Sequence, residues 1–88
     1  MRTVHKYEID PQDNFGIEIP ERGIIIAVAM QNGRMYAWVD GDNEDCYVRI
    51  PIYVFGTGHE IDSELQIEFI STVFDGPYIW HVYHGAKP

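Results

Sequence analysis

The pair Asn32-Gly33, set between the apolar runs 24–30 and 35–39, constrains this chain more than any other feature. Asn-Gly favours a two-residue type I′ turn, because both central residues of that turn need positive φ. The turn fixes the register of its two arms. Gln31 stands opposite Arg34, Met30 opposite Met35, Val28 opposite Ala37 and Ile26 opposite Val39. The last three pairs are wholly apolar, which marks them as a core face. The opposite face sets Ala29 against Tyr36 and Ala27 against Trp38, small residues that leave room for large rings. Gln31, Arg34 and Asp40 share that second face, so it is at least partly wet.

Turn-forming residues recur at short intervals along the rest of the chain, at Asp10-Pro11, Pro20, Gly23, Gly41, Gly56, Gly58 and Asp75-Gly76-Pro77. β-branched and aromatic runs lie between them, a spacing that belongs to β-dominated folds. Segments 2–9 and 15–19 read as short strands. Segment 46–55 alternates, with Cys46, Val48, Ile50, Ile52 and Val54 on one side and Tyr47, Arg49, Pro51, Tyr53 and Phe55 on the other. Pro51 lacks an N–H, which places an edge or a bulge there. Segments 65–74 and 77–84 form a second hairpin about Asp75-Gly76, with Phe74 opposite Pro77. In that register Ile67, Phe69, Val73, Tyr78, Trp80 and Val82 form the core side, and Glu68, Ile70, Thr72, Ile79, His81 and Tyr83 the other. Ser63 and Gln66 have capping-box spacing and suggest a turn or two of helix over 61–66. The expectation is a mainly β, single small domain over 1–88. It has six or seven strands in a curled sheet, small barrel or sandwich, with at most a short helical turn.

A chain of 88 residues makes one domain with a thin core, and association is a common remedy for that. Fourteen acidic residues against six basic ones give a net charge of −8. The basic residues Arg2, Lys6, Arg22, Arg34, Arg49 and Lys87 are scattered, which argues against direct nucleic-acid binding, since that needs clustered cations. The acidic surface either keeps the protein soluble or imitates nucleic acid to a basic partner. A lone cysteine, Cys46, fits a reducing compartment. The N-terminal stretch lacks a signal-peptide apolar segment, and no apolar run reaches the roughly 20 residues that span a bilayer. A cytoplasmic protein with no membrane contact is expected.

Chemistry-bearing motifs are few. Gly56-Thr57-Gly58-His59 follows a strand, and successive N–H groups in a Gly-rich turn can cradle an anion. It lacks the lysine, second glycine and following helix of a phosphate loop, and a tight turn with positive φ is the plainer reading. The run 40–45 is acidic, but an EF-hand needs Gly sixth and Glu twelfth, where Asp45 and Pro51 stand. His81 and His84 are three apart, which in a strand puts them on opposite faces. No zinc spacing occurs, and neither metal nor cofactor is expected. Cys46 has no visible catalytic partner in the local sequence, and Ser63 and Ser71 lack a nucleophile-elbow context, so no catalytic residue is assigned and the chain reads as a non-enzyme. The most suggestive surface carries Tyr36, Trp38, Tyr47, Tyr53 and Tyr83 with Arg34 and Arg49. Rings and guanidinium groups together suit a stacked base with a phosphate, a subunit interface, or a second core layer.

The order of these motifs resembles a family of small uncharacterised bacteriophage and prophage proteins. An opening His-Lys-Tyr-Glu strand, an Ile19-Pro20 step and a Gln31-Asn32-Gly33 turn with an aromatic partner strand come first. Phe55-Gly56-Thr57-Gly58-His59, the strand 70–73 and the Trp80-His81-Val82-Tyr83 strand follow. The resemblance implies action in the cytoplasm of an infected host, as a counter-defence factor. No activity is assigned to that family, and no functional residues carry over from it. The residues themselves suggest a homo-oligomer, from the thin core and many aromatics, that sequesters a nucleotide-like host immune signal. Gly56, Thr57, Gly58 and His59 would serve phosphate, Arg34 or Arg49 charge, and Tyr36 or Trp38 stacking. The alternatives are a direct protein–protein inhibitor of a host system and a phage accessory or assembly protein.

Overall fold

The Asn32-Gly33 turn closes as its residue types demand, with φ of +54° and +79°. The computed structural model describes residues 1–12 and 16–86. Eight strands follow in order: β1 (Arg2–Ile9), β2 (Ile17–Pro20), β3 (Ile24–Gln31), β4 (Arg34–Asp42), β5 (Tyr47–Ile50), β6 (Ile52–Gly56), β7 (Ile67–Asp75) and β8 (Tyr78–Gly85). They form three small antiparallel sheets, β1-β4-β3, β2-β5 and β6-β8-β7. The domain is all β, with no closed barrel and no helix among the described residues. Phe15, which the sequence puts at the start of the second strand, lies outside the described residues.

The first hairpin keeps its expected register from Gln31↔Arg34 to Ala27↔Trp38. Beyond that it departs. A bulge expels Ile26, and Ile25 instead of Ile26 stands opposite Val39. Three consecutive isoleucines look alike to an alternation rule, so the extra residue leaves no trace in the sequence pattern. Ile26 is exposed and Ile25 packs against the core.

Segment 46–55 is two strands, which raises the count to eight. Pro51 cannot donate to a ladder, and the chain turns there from the β2-β5 ribbon into the β6-β8-β7 sheet. Ile50 and Ile52, flanking the proline, are both buried. Cys46, grouped with them by alternation, is exposed instead, because it precedes the paired residues of β5.

The second hairpin turns one residue later than expected. Asp75 pairs with Tyr78, Phe74 with Ile79 and Val73 with Trp80, so Gly76-Pro77 is the two-residue loop. Gly76 has φ +55°, the sign a type II′ turn needs at its first central position, and the ring of Pro77 fixes a negative φ at the second. This register takes Pro77, which has no N–H, out of the ladder. A bulge between Phe69 and Ser71 then exchanges two more residues. Ile70 packs against the core and Phe69 is exposed, the reverse of the alternation-based expectation. The expected helical turn is absent: the Asp62 carboxylate accepts from the Glu64 N–H and its carbonyl from the Leu65 N–H, which makes an isolated turn.

β3 runs beside β7 without a regular ladder. The core joins Ile17 and Ile19 of β2 and Ile50 of β5 to Val28, Met35, Ala37 and Val39 of the first sheet and Ile52, Val73 and Val82 of the third. The molecule measures 40 × 33 × 17 Å, so it is thin in one direction. Its outer faces therefore remain largely unpartnered.

Candidate functional site

The sequence-selected residues separate into three regions. Tyr36 and Trp38 sit on the outer face of the β1-β4-β3 sheet, 6.2 Å apart and tilted by 59°. Polar pairs surround them. Lys6 lies 4.4 Å over the Tyr36 ring and donates to the Gln31 Oε1 at 2.9 Å. The Arg2 guanidinium makes two bonds of 2.6 Å to Asp40 and holds that carboxyl below its usual range. Arg49 lies on the β2-β5 ribbon and bonds Glu18 at 2.9 Å. Neither ring nor Arg49 borders the Gly-rich turn. Tyr47 is on the ribbon and Tyr53 on the third sheet, so the predicted aromatic surface is dispersed over all three sheets.

The Gly-rich turn meets a different pair of rings. Gly56, Thr57 and His59 line a cleft of about 410 Å³ with Pro77, Tyr78, Ile79 and Trp80. The Tyr78 and Trp80 rings lie 5.8 Å apart and 21° from parallel. They are two residues apart on β8, hence on one face of the strand. Gly58 adopts φ +88° and stands clear of other atoms, while a Cβ on Gly56 would approach the His59 ring to 2.9 Å. The turn is closed by its own bonds. The Gly56 N–H donates to His59 Nδ1 at 3.2 Å and the His59 N–H to the Gly56 carbonyl at 3.1 Å. With Nδ1 accepting, Nε2 carries the proton of the neutral ring and is a donor. Thr57 Oγ1 lies 2.8 Å from His81 Nε2, and Thr72 Oγ1 lies 3.1 Å from His81 Nδ1.

Trp80 also lines a second cleft, of about 380 Å³. That cleft includes Arg34 with Glu8, Asp10, Met30 and Asp75. Arg34 bonds Glu8 at 3.1 Å, and the Trp80 indole N–H donates to Asp75 at 3.3 Å. One end of the molecule thus gathers Gly56, Thr57, His59 and Arg34 around Trp80. The sequence pointed to those four. It missed Trp80, Tyr78 and Asp75, whose one local sign was the alternation Tyr-x-Trp directly after a Gly-Pro turn.

The acidic run 40–45 forms its own cluster. The Asp45 carboxylate accepts from the Arg22 backbone N–H at 3.1 Å and from its guanidinium at 3.3 Å, which lowers its pKa. Asp42 accepts from the Glu44 N–H and from the Met1 amino group, with the same effect. Among the described residues no three metal-ligating side chains converge.

A family model for a domain of unknown function, DUF7352, matches residues 1–88. The chain belongs to the DUF7352 family. No curated protein and no solved structure matches it. For this DUF7352 chain, the chemistry of the site therefore rests on its own geometry.

Proposed function

We propose that the domain is a non-enzymatic binding protein whose ligand is a nucleotide-like small molecule. The ligand's planar ring stacks in the cleft between the 56–59 turn and the Tyr78–Trp80 pair. The observation that carries this reading is the near-parallel pair of rings on one wall of a cleft of about 410 Å³, a volume in the range of small-molecule sites. Thr57 and His59 supply polar groups at its edge, and Arg34, which lines the second cleft with Trp80, serves an anionic group. Glu8, Asp10 and Asp75 surround Arg34, so a ligand with one spread-out negative charge suits this end better than a dense polyphosphate. The resemblance to phage proteins supports action in the cytoplasm of an infected host, by sequestration of a host immune signal.

Calorimetry against cyclic and linear dinucleotides, ADP-ribose derivatives and the parent nucleosides tests the reading. Trp80→Ala is expected to weaken binding about 5- to 150-fold, as the loss of one ring stack of about 1–3 kcal/mol predicts. Trp38→Ala, on another sheet, leaves binding unchanged. No binding across the panel, with a host protein recovered by pull-down, overturns it in favour of a direct protein inhibitor.

A further inference from the structure

The seam between β3 and β7 opens where the two bulges lie. Ile24 and Phe69 border a cleft of about 330 Å³ there, floored by Ile19, Ile25, Ile50 and Ile70. Large apolar side chains stand in solvent beside it. Ile24 is 65% exposed, Ile26 55% and Phe69 57%, and further along the third sheet Phe74 is 71% and Ile79 39% exposed. At about 200 Å² for each fully exposed side chain, these five present roughly 570 Å² of apolar surface. That is the top of the range for the largest patch on a monomer, about 300–600 Å², and most of the roughly 800 Å² that each partner gives to a standard interface. The Phe69 ring continues edge-on into Tyr83 at 5.5 Å, and Tyr83 into Phe55 at 5.8 Å.

Charge selects the occupant. The net charge is −8, yet the residues that β6, β7 and β8 turn outward include no Asp, Glu, Lys or Arg. The outer face of the first sheet, by contrast, carries the Arg2–Asp40 and Arg34–Glu8 pairs. An oppositely charged partner finds nothing to grip on the third sheet's outer face. On that sheet a second copy brings no carboxylates together. At the seam Ile24 stands opposite Asp40, whose charge Arg2 balances, and a two-fold axis needs one self-complementary patch.

We propose that the outer face of the β6-β8-β7 sheet, with the Ile24–Phe69 seam, pairs two copies of the chain. The patch meets the ligand cleft at Ile79, but the pairing does not rest on ligand binding and is tested on the chain without ligand. Sedimentation equilibrium on the whole chain, from about 1 to about 200 µM, is the test. The expected mass rises toward twice 10.2 kDa and rises further with salt, which screens the repulsion between acidic protomers. Phe69→Glu is expected to weaken association at least tenfold, and Trp38→Ala to leave it unchanged. A wild-type chain that stays monomeric throughout overturns the proposal, and so does a folded Phe69→Glu variant that still dimerises. Should Phe69→Glu not fold, Phe69→Cys in a Cys46→Ser background decides. A short bismaleimide is expected to join two such chains covalently, and failure to do so overturns the proposal.

Discussion

Replacing Gly16 by alanine isolates a close backbone approach at the corner where β5 ends and the chain passes through Pro51 toward β6. Gly16 has φ +87°, and a Cβ there would lie 1.9 Å from the Ile50 carbonyl oxygen and 2.8 Å from the Pro51 Cα. Two costs combine. Left-handed backbone costs a non-glycine residue about 1–2 kcal/mol. Displacing main chain at a packed corner costs about 1–3 kcal/mol more. The expected loss is about 2–5 kcal/mol, a large part of the roughly 4–13 kcal/mol that holds a domain this size together. Gly33→Ala is the matched control. Its φ is +79°, but nothing lies within 4 Å of the added methyl, so it bears the backbone cost alone, about 1–2 kcal/mol. Urea unfolding followed by tryptophan fluorescence measures both. With a slope near 1 kcal/mol/M, the Gly16→Ala midpoint falls about 2–5 M below wild type and about 1–3 M below Gly33→Ala. Equal midpoints for the two variants would refute the assignment of Gly16 as a contact point.

Ile19→Ala, at a fully buried position, is expected to cost about 2–5 kcal/mol, while Ile24→Ala at the exposed seam costs under about 0.5 kcal/mol in the same urea assay. Asp45 has a depressed folded-state pKa, first through the Arg22 backbone N–H and then through its guanidinium. Its contribution to stability is thus complete above the unfolded value near 3.8 and disappears as pH falls below that through the folded value. Carboxyl NMR titration is expected to show an Asp45 midpoint below 3.8, and Arg22→Ala to move it upward. Cys46 is exposed, so one thiol per chain reacts with a disulfide reagent in the native state, without denaturant.

Local chemistry made much of the fold legible. Asn32-Gly33 specifies its turn through the φ it requires, and five consecutive pairs follow from it. Pro51 announced a break because a missing N–H acts locally. The bulges at Ile26 and Ile70 did not show. Each is one more apolar residue in an apolar run, and the neighbouring edge decides which of them leaves the ladder. The site divides in the same way. The 56–59 turn was visible from its glycines, but which rings face it depends on which strand pairs with β6. That strand is β8, so Trp80 and not Trp38 stands at the turn.

The order of strands in the third sheet has a consequence for how the chain acquires its shape. β8 follows β6 and β7 in the chain yet lies between them, pairing Ile52 with His84 on one side and Val73 with Trp80 on the other. Until β8 has left the ribosome, β6 has no ladder partner and its apolar side chains, Ile52 and Val54, stay uncovered. Pairings such as Arg2↔Asp42 and Ile17↔Ile50 also join distant residues. Folding is therefore expected in the millisecond-to-second range of non-local β proteins. Losing β8 during synthesis does not trim an edge; it removes the strand on which both flanking strands depend.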